Sequence, residues 1–510
     1  MKEDHGHNQD FGCAYFHGQS ESNPESTPDS KSTPDSTKAD VPAQLSRRGF
    51  VQGLAALGVV SVVSGSALAA CAPKDKGSSG PVAQNFDLVI VGAGGSGMAA
   101  ALSAKESGVS SLVILEKEGF NGGNTNFSSS GMNASETRFQ KEQAVEDSNQ
   151  LFAEDTYKGG KELGKLDLIK HMCDNSAEAI DWLDSINITL DNITLTGGSS
   201  VKRCHRPTDG SAVGKTLVPG LVTALGVDSI TIANDVNVKK ILVADGKVTG
   251  VEAANGTVYN AKAVIITTGG FGANFDMIAQ YRPDLKDYVT TNAQGTQGDG
   301  MRMAADVGAK LIDMDQIQIH PTVDQASGAL IAEGIRGGGA ILVNSDAKRF
   351  IDEMLTRDVV SAAELAQPGA FAYVLYDQQV YDKNPDAANY EKLKLSTKAD
   401  TLADLAKALG LDGATLETTV NDYNKHIADG VADEFKRTQG MILLDHAPFY
   451  ACKVAPGIHH CMGGIDIDTR NQALDTSGKP IAGLFAAGET TGGIHGANRL
   501  GGNAVCDIMV

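Results

Sequence analysis

Hydrophobic stretches that alternate with polar turns organise the chain from about residue 85 onward. A run typical of a buried strand spans Phe86 to Val91, a helix of small residues follows to about Ser107, and a second strand covers Leu112 to Leu115. The turn between the first strand and the helix reads GAGGSG, residues 92–97. Strand, glycine-rich turn, helix and strand in this order are typical of the βαβ unit of a Rossmann-like domain.

This turn has the chemistry of a dinucleotide site. Glycines let the main chain approach a pyrophosphate, and the first turn of the following helix stabilises its negative charge. Glu116 ends the second strand, 19 residues after the last glycine, where a carboxylate can accept a ribose hydroxyl. The alternative is a glycine-rich turn in an ordinary α/β core. The residues predicted to contact the cofactor here are Gly92, Gly94, Gly95, Ser96, Gly97, Glu116 and Lys117.

The segments that follow favour FAD over NAD. Residues 122–133 supply small donors where an isoalloxazine ring could lie. A predicted hairpin pairs Ile241–Ala244 with Val248–Ala253 across Asp245 and Gly246. A hairpin layer inserted into a nucleotide-binding fold favours FAD. Asp299 in the sequence QGDG is interpreted as a turn residue and is not included among the cofactor contacts. The predicted FAD contacts in these segments are Asn124, Thr125, Gly131, Met132, Asn133, Thr268 and Gly269.

The stretch from about residue 315 to 455 has a different pattern. Short strands at Ala340–Val343 and Phe371–Tyr376 precede helices, one of which has an apolar face formed by Leu416, Val420, Tyr423 and Ile427. The chain then reaches another glycine-rich strand-to-helix junction at residues 483–488. We therefore predict an α/β protein with a Rossmann-like FAD-binding domain in two parts, residues 85–314 and 456–510, and an α+β capping domain, residues 315–455.

Residues 1–71 are predicted to form an export leader, and residues 72–84 a linker. The first 44 residues are rich in Ser, Pro, Asp and Asn, which cannot bury a core. Ser46–Phe50 contains paired arginines before an apolar stretch that ends in Leu-Ala-Ala-Cys71, as in a twin-arginine signal that closes in a lipoprotein cleavage site. The alternative is a permanent transmembrane anchor. Both interpretations place the body of the protein outside the cytoplasm, and the first adds a lipid on Cys71. Because the leader is unusually long, translation could also begin at a later residue than Met1.

Charge and cysteine content narrow the function. A formal net charge of −20 and a pI near 4.9 argue against a nucleic-acid partner, whereas an acidic face could dock a basic electron carrier. Of seven cysteines, Cys13 and Cys71 belong to the leader, and the others form no close pairs, so neither a disulfide framework nor a metal site is indicated. No CxxCH motif for covalent haem occurs, so electrons must arrive from another protein.

Four residues in turn-rich or glycine-rich contexts suggest the reaction. His320, Arg357, His459 and Arg499 offer two guanidinium groups and two imidazoles, which suit a pocket that binds a carboxylate and supplies a proton. Each also has a structural interpretation: His320 beside a proline is typical of a turn, and Arg357 could pair with Asp358. A nucleotide cofactor together with an anion site indicates redox chemistry on a small organic acid.

From about residue 85 to its end, the chain resembles the flavoprotein subunit of the fumarate reductase and succinate dehydrogenase family, and most closely the soluble flavocytochrome c type without its haem domain. The resemblance rests on VGAGGSG, GGNT, HRPTDG, TTGGFGAN, HPT, AEGIRGGGA, MLTRD, HHCMGG and AAGETTGGIHGANRLGGNA. It implies noncovalent FAD, a capping domain, and reduction of a carbon–carbon double bond next to a carboxylate. It also implies four further FAD contacts: Glu489, Asn503, Ala504 and Val505.

The resemblance also assigns roles at the substrate. Arg357 matches the family's proton donor, and Glu333 and Arg336 match its proton relay. Arginine gives up a proton only with difficulty, so the relay must resupply it at once. Reduced flavin N5 would give hydride to the β carbon while Arg357 protonates the α carbon. The substrate contacts implied are His320, His459, Arg499 and Gly502, with His460 as a neighbour of the site.

Departures from the family pattern concern the substrate. Leu330 and Ala332 stand where fumarate reductases have Met and Thr, which removes a hydroxyl from the predicted substrate pocket, and Cys461 replaces a Thr. Fumarate is therefore one candidate, beside enoates such as acrylate, methacrylate or a cinnamate with an apolar group against Leu330 and Ala332. Retention of His320 argues against urocanate. The chain stops at Val510, directly after the last flavin motif, so either the sequence is truncated or the fold lacks a covering helix.

We therefore expect an exported FAD-dependent reductase of an α,β-unsaturated carboxylate that serves anaerobic respiration. It would be anchored by lipid to the outer face of the cytoplasmic membrane and reduced by a cytochrome c or a membrane quinol dehydrogenase. Two alternatives stay open at this point: a flavin dehydrogenase or oxidase that works in the oxidative direction, and a non-catalytic flavin-binding lipoprotein.

Overall fold

The structure is a computed structural model that describes residues 83–510. The predicted twin-arginine segment, the apolar stretch and Cys71 lie outside the described residues. The strands are β1 (Ala83–Val91), β2 (Leu112–Leu115), β3 (Met132–Asn133), β4 (Asn192–Thr194), β5 (Cys204–Arg206), β6 (Thr231–Ala233), β7 (Val238–Ala244), β8 (Lys247–Ala253), β9 (Val258–Ile266), β10 (Leu311–Ile312), β11 (Ile317–Val323), β12 (Ile341–Val343), β13 (Ala372–Asp377), β14 (Ser396–Ala399), β15 (Phe449–Cys461), β16 (Gly464–Ile465), β17 (Gln472–Leu474) and β18 (Pro480–Ala486).

Helices follow the strands in the order expected of an α/β protein. They are α1 (Gly95–Glu106), α2 (Arg138–Glu142), α3 (Asn149–Gly159), α4 (Leu166–Asp174), α5 (Ser176–Ser185), α6 (Gly214–Val227), α7 (Phe275–Tyr281), α8 (Asp299–Asp306), α9 (Glu333–Gly337), α10 (Arg357–Leu365), α11 (Gln378–Lys383), α12 (Ala387–Lys392), α13 (Leu402–Leu409), α14 (Gly413–Asp429) and α15 (Asn503–Met509). In the part of the chain that the structure describes, none of them is long and apolar enough to cross a membrane.

The largest sheet confirms the predicted Rossmann-like α/β class. Its order is β17-β18-β8-β9-β1-β2-β6, and β7 pairs with β8. The central strands β18, β9, β1, β2 and β6 run parallel, with Val89 of β1 opposite Val113 of β2 and Val264 of β9. In β1, β2 and β9 the apolar runs Leu88–Val91, Val113–Leu115 and Ala263–Ile266 are buried, as expected of strands covered on both faces.

The predicted hairpin is also confirmed. Strands β7 and β8 pair antiparallel, and Asp245 and Gly246 between them have φ values of 53° and 74°. Two successive residues with positive φ form the tight turn whose twist matches a hairpin, and Asp-Gly is a preferred sequence for it. Strand β8 pairs antiparallel with β9, so the hairpin extends the parallel sheet.

A second hydrophobic core surrounds a five-stranded antiparallel sheet, β11-β15-β13-β12 with β14 paired to β15. Leu416, Val420 and Tyr423 of α14 are buried in it and Ile427 packs at its edge, as the apolar face predicted. Strand β15 crosses between the cores, since Cys452 and Val454 belong to this one and its later residues to the first. The domain limits at residues 315 and 455 stay predictions.

Candidate active site

A cleft of about 930 Å³ opens at the carboxyl ends of β1, β2 and β9, where parallel α/β sheets bind their ligands. Gly92 has a φ of 108°, and a Cβ atom there would lie 2.5 Å from the carbonyl oxygen of Thr267. A Cβ atom on Gly97 would lie 2.0 Å from the carbonyl oxygen of Gly92. The turn, the following helix and strand β9 therefore pack so closely that only glycine fits at these two positions.

The floor of the cleft suits a pyrophosphate. Helix α1 begins after Gly94, which provides no side-chain cap, and its first turn contains no acidic residue. The positive end of its helix dipole is thus left for an anion. Glu116 lies across the turn: its Oε2 accepts a hydrogen bond of 2.8 Å from the Ala93 amide, and burial raises the pKa of its carboxyl.

Most of the predicted cofactor residues line this cleft. Asn124 and Glu489 also contact each other, because Asn124 Nδ2 donates to Glu489 Oε2 at 3.1 Å. Glu489 Oε1 accepts from the Cys461 amide at 3.1 Å, which links the cleft to β15. The predicted residues that line the cleft are Gly92, Gly94, Gly95, Ser96, Glu116, Lys117, Asn124, Thr125, Thr268, Gly269 and Glu489.

Other predicted cofactor residues lie outside the lining. Asn133 Nδ2 donates to the carbonyl oxygen of Gly501 and to Asn503 Oδ1, both at 2.7 Å, which joins β3 to the start of α15. Their contact with a cofactor stays a prediction. The residues in this group are Gly97, Gly131, Met132, Asn133, Asn503, Ala504 and Val505.

The sequence analysis missed part of the lining. Asp299, which was assigned to a turn, is the first residue of α8 and pairs with Lys117 at 2.6 Å. The two residues are far apart in sequence, so no local pattern could have shown this contact. Further lining residues that were not predicted are Asn237, Ala293, Thr296, Met303 and Ile508. The glycine turn, the free helix end and the carboxylate together fit the pyrophosphate and ribose of FAD.

A second group of polar residues is buried where β11, α9 and α10 meet. Arg357 is the first residue of α10, and its Nε donates to Glu333 Oε2 at 2.8 Å. Glu333 is the first residue of α9, and its Oε1 accepts from the Gly197 amide at 2.6 Å. Burial favours the neutral carboxyl, but Arg357 and Arg336 outweigh it and lower the pKa of Glu333. Glu333 is therefore a carboxylate held between cations.

Gln318 is a residue of this group that the sequence analysis missed. Its Oε1 accepts from Arg357 Nη1 at 3.1 Å, and its Nε2 donates to Asn498 Oδ1 and the carbonyl oxygen of Arg499, both at 2.7 Å. With Nε and Nη1 engaged, Arg357 Nη2 makes no hydrogen bond to the described residues. One signal was available, since Gln318 and His320 are two apart on one strand and so share a face.

Arg336 stands behind Glu333 and is 1% exposed. Its Nη1 donates to the carbonyl oxygen of Glu353 at 2.7 Å, whereas its Nε and Nη2 have no partner among the described residues. Burial lowers the pKa of Arg336 and the charge of Glu333 raises it again. The structure thus brings Arg357, Glu333 and Arg336 together, as the resemblance implied.

The two predicted imidazoles face each other, with ring centres 5.0 Å apart. His320 lies on β11 next to an irregularity in the pairing with β15, of the kind that often re-aims a side chain near a site. Its Nδ1 accepts from the Thr322 amide at 3.2 Å, so its Nε2 carries the proton, and Nε2 has no partner among the described residues. His459 Nδ1 bonds Thr291 Oγ1 at 2.7 Å.

Charge at this place favours an anion. Burial is the largest cause that holds the pKa values of His320 and His459 well below the usual range, and the positive charge of Arg357 is the second. Both rings are therefore neutral. Arg499 is 5% exposed with an unpartnered Nε, and burial together with Arg357 lowers its pKa to about 9. Three guanidinium groups therefore face one carboxylate, Glu333. Such a site can bind a carboxylate and donate a proton to what it binds.

The residues predicted to set specificity lie nearby. Ala332 is buried at the start of α9, where its amide donates to the Tyr390 hydroxyl at 2.8 Å, and Leu330 is half-buried. Gly502 has a φ of 86°, and a Cβ atom there would lie 2.3 Å from Asn133 Oδ1. His460 is buried behind His459 with both ring nitrogens unpartnered among the described residues. Contact of these residues with a substrate stays a prediction.

Comparison with known proteins supplies the context for this geometry. A family model described as FAD binding domain matches residues 87–505. The NADH:fumarate oxidoreductase of Klebsiella pneumoniae is 43% identical over 452 residues, which are 88% of this chain and 48% of that protein. The probable fumarate reductase Ifc3 of Shewanella frigidimarina is 42% identical over 438 residues, 85% of this chain and 74% of that protein. The chain thus spans about half of the Klebsiella protein and three quarters of the Shewanella one.

A solved structure agrees. The open conformation of a flavocytochrome c3 fumarate reductase is similar with a TM-score of 0.70 and 42% identity, over 84% of this chain and 77% of that one. More distant relatives have other substrates in their names. They are a urocanate reductase of Eggerthella lenta (34% identical, 84% of this chain, 73% of that protein) and an NADH:acrylate oxidoreductase of Vibrio harveyi (32%, 85%, 50%).

Proposed function

The chain belongs to the FAD-binding family of the fumarate reductases, and from this premise we propose that it reduces an α,β-unsaturated carboxylate. Fumarate, acrylate, methacrylate and a cinnamate are the candidate substrates. One observation supports the proposal most: Glu333 and Gln318 hold Arg357 by two of its nitrogens, and the third, Nη2, has no hydrogen-bond partner among residues 83–510. The neutral His320 and His459 and the cationic Arg499 surround it.

FAD supplies the hydride when it is bound and reduced. The residues of the chain do the remaining work. Arg499 and the Nε2–H group of His320 bind the substrate carboxylate and stabilise the negative charge that develops on it. Arg357 donates a proton from Nη2 to the α carbon. Arg336 then gives a proton to the Glu333 carboxylate, and Glu333 passes it to the neutral guanidine of Arg357.

The contacts of Arg357 support this sequence of proton transfers. Glu333 contacts Arg357 directly, so the neutral guanidine that proton donation leaves behind is next to a carboxylate that can pass on a proton received from Arg336. The fixed position of Arg357 between two hydrogen-bond partners also places the acid before the substrate arrives. Leu330 and Ala332 would supply apolar contacts to the substrate. This supports enoates with one carboxylate as candidates in addition to fumarate, which has two.

The test uses the full chain loaded with FAD. Anaerobic oxidation of a reduced viologen dye is followed with fumarate, acrylate, methacrylate, crotonate, cinnamate and urocanate, and oxidation of the corresponding saturated acids is measured with an artificial acceptor. We expect turnover with at least one enoate, and loss of that turnover in Arg357→Ala with FAD still bound. Turnover by Arg357→Ala at the wild-type rate would exclude the assigned acid. Oxidation of saturated acids alone would favour the dehydrogenase alternative.

We also propose export by the twin-arginine route, lipid attachment at Cys71, and electron supply from a cytochrome c or a quinol dehydrogenase. The support is the sequence of residues 46–71 and the lack of a CxxCH motif. Mass spectrometry of the mature protein tests the anchor, since a diacylglycerol on an N-terminal Cys71 is expected and Cys71→Ser should abolish it. An unprocessed N-terminus would instead support a transmembrane anchor.

A further inference from the structure

The buried face of α10 is unexpectedly polar. Of its residues, Arg357, Val360, Ser361 and Glu364 are buried. Arg357, Ser361 and Glu364 follow one another at i, i+4 and i+7, so they lie along one face of the helix. At about 1.5 Å per residue, Glu364 lies roughly 10 Å along the axis from Arg357. A helix face turned to a core is normally apolar, so this polar row needs a reason.

Several polar atoms in this row and on the neighbouring Arg336 have no hydrogen-bond partner among the described residues. Glu364 is 0% exposed, and both of its carboxyl oxygens lack a hydrogen bond to the described residues. The Ser361 hydroxyl is equally buried and unpartnered, as are Nε and Nη2 of Arg336. Native proteins rarely bury unsatisfied polar groups, and they retain them where function or ordered water gives a reason.

Arg336 is the ionisable group that acts on Glu364 from a neighbouring element, since it lowers the carboxyl pKa that burial raises. The main-chain amide of Ala372 acts in the same direction but falls short of a hydrogen bond. Burial dominates, so the pKa of Glu364 is well above its usual range, and a fully buried carboxyl without a hydrogen-bond partner among the described residues favours its protonated form. Arg336 thus interacts electrostatically both with a carboxylate, Glu333, and with a carboxyl whose burial favours the acid form, Glu364.

Glu353 is the other carboxyl near Arg336, and it is already occupied. Its Oε2 accepts from Arg349 Nη2 and from Arg437 Nη1, both at 2.8 Å. These contacts and charges lower its pKa in spite of burial, so it stays ionised. Glu364 is therefore the carboxyl near Arg336 that has a proton to give.

Resting on the proposed function, we propose that Glu364 is the proton reservoir that recharges Arg336 after each turnover. When Arg357 has given a proton to the substrate carbon and the relay has moved one proton forward, Arg336 is left neutral. The O–H bond of Glu364 then breaks and an N–H bond forms on Arg336, directly or through Ser361 and water. The resulting carboxylate, paired with the guanidinium, regains a proton from solvent. No electrons move in this step, and Glu364 affects the substrate only through Arg336.

The test compares Glu364→Gln, which keeps the shape and loses the acid, with Glu364→Asp, which keeps the acid. The exposed Glu417→Gln on α14 is the control for a lost carboxylate. Holoenzyme of each variant, Arg357→Ala included, is assayed with reduced viologen and the enoate that wild type reduces fastest, from pH 6 to pH 9 in H₂O and D₂O. We expect the kcat of Glu364→Gln to fall at least tenfold at pH 9 and less at pH 6, because solvent protons become scarce at high pH. KM and bound FAD should not change, the solvent isotope effect should increase, and Glu364→Asp should recover most of the loss.

A second readout does not depend on turnover. Infrared spectra of the resting protein should contain a protonated-carboxyl band that shifts in D₂O, disappears in Glu364→Gln and moves in Glu364→Asp. The Asp variant serves this test if the Gln variant does not fold. A Glu364→Gln kcat within twofold of wild type at every pH, with an unchanged isotope effect, overturns the proposal, as does the absence of the band. If wild type reduces an enoate and Arg357→Ala does not, such a failure concerns Glu364 alone. A wild-type protein that reduces no enoate overturns the proposed function and the reservoir together.

Discussion

The role of Gln318 gives the most direct test of the proposed acid, because this residue joins the guanidinium of Arg357 to the main chain of Arg499. It accepts from Arg357 Nη1 at 3.1 Å and donates to the carbonyl oxygen of Arg499 and to Asn498 Oδ1, both at 2.7 Å. Gln318→Ala removes all three bonds and leaves Arg357 held by Glu333 alone. The variant should therefore bind FAD and substrate but position its proton donor poorly.

The size of the effect follows from the bonds lost. A hydrogen bond to a charged group contributes about 1.5–3 kcal/mol, and at 1.36 kcal/mol per factor of ten its loss corresponds to roughly a ten- to hundredfold decrease in rate. A displacement of about 1 Å in a catalytic group has a similar effect. Two buried acceptors, Asn498 Oδ1 and the carbonyl of Arg499, also lose their donor, which should lower the free energy of unfolding by about 2–4 kcal/mol.

The assay is viologen oxidation with the best enoate, together with urea unfolding and flavin absorbance. We expect kcat to decrease ten- to hundredfold while bound FAD is unchanged, since Gln318 is not among the residues that line the cofactor cleft. Gln325→Ala is the matched control: this exposed glutamine, two residues beyond β11, donates to main-chain carbonyls and should change kcat less than twofold. A Gln318→Ala kcat equal to that of wild type would refute the view that this bridge positions Arg357.

Two further predictions concern stability. Gly97→Ala should lower the free energy of unfolding by about 1–3 kcal/mol and weaken FAD binding, because its Cβ atom would lie 2.0 Å from the carbonyl oxygen of Gly92. Gly226→Ala on α6 is the control, since its Cβ atom would meet open space and should raise the free energy of unfolding by about 0.5–1 kcal/mol. Urea unfolding measures the stability of each variant, and flavin fluorescence measures its FAD binding. Burial lowers the pKa of His205 to about 4, so the unfolded chain binds the extra proton below pH 6.5 and stability falls as pH decreases to 4, by about 3 kcal/mol from this residue. Urea unfolding gives the free energy of unfolding of wild type and of His205→Gln at each pH, and the excess stability of wild type should decrease between pH 6.5 and 4. A difference that does not change with pH would contradict this prediction.

Local patterns were enough to predict the nucleotide-binding part of the fold. The turn at Gly92, the helix after it and the hairpin at Asp245 and Gly246 all depend on neighbours in sequence, and the structure has them. Strand β15 was not predicted, because Pro456 and Gly457 within it normally interrupt strands. The irregular pairing of β11 accommodates them, which is a property of two segments far apart in sequence.

The candidate site was predicted through motifs, and the same limit applies to what motifs missed. The contacts of Gln318 and Asp299 involve partners about 180 residues away, Asn498 and Lys117, and the spacing of Gln318 from His320 was the one local signal for either. Glu364 was missed for another reason. A glutamate near the end of an amphipathic helix is usually on the solvent side, and only the burial of α10 on the side of Arg357 shows that this one is not.

The electrostatics of the site explain why an arginine rather than a histidine should be its acid. Burial and the surrounding cations keep His320 and His459 neutral, so neither has a surplus proton to transfer near neutral pH. The Thr322 amide fixes the tautomer of His320, so its Nε2–H can donate a hydrogen bond to a carboxylate. The cations that bind the substrate thus remove histidine as an acid. A proton must then come from a guanidinium, and that is possible only with carboxyl groups behind it to restore the charge, which is the position that Glu333 and, one step farther back, Glu364 occupy.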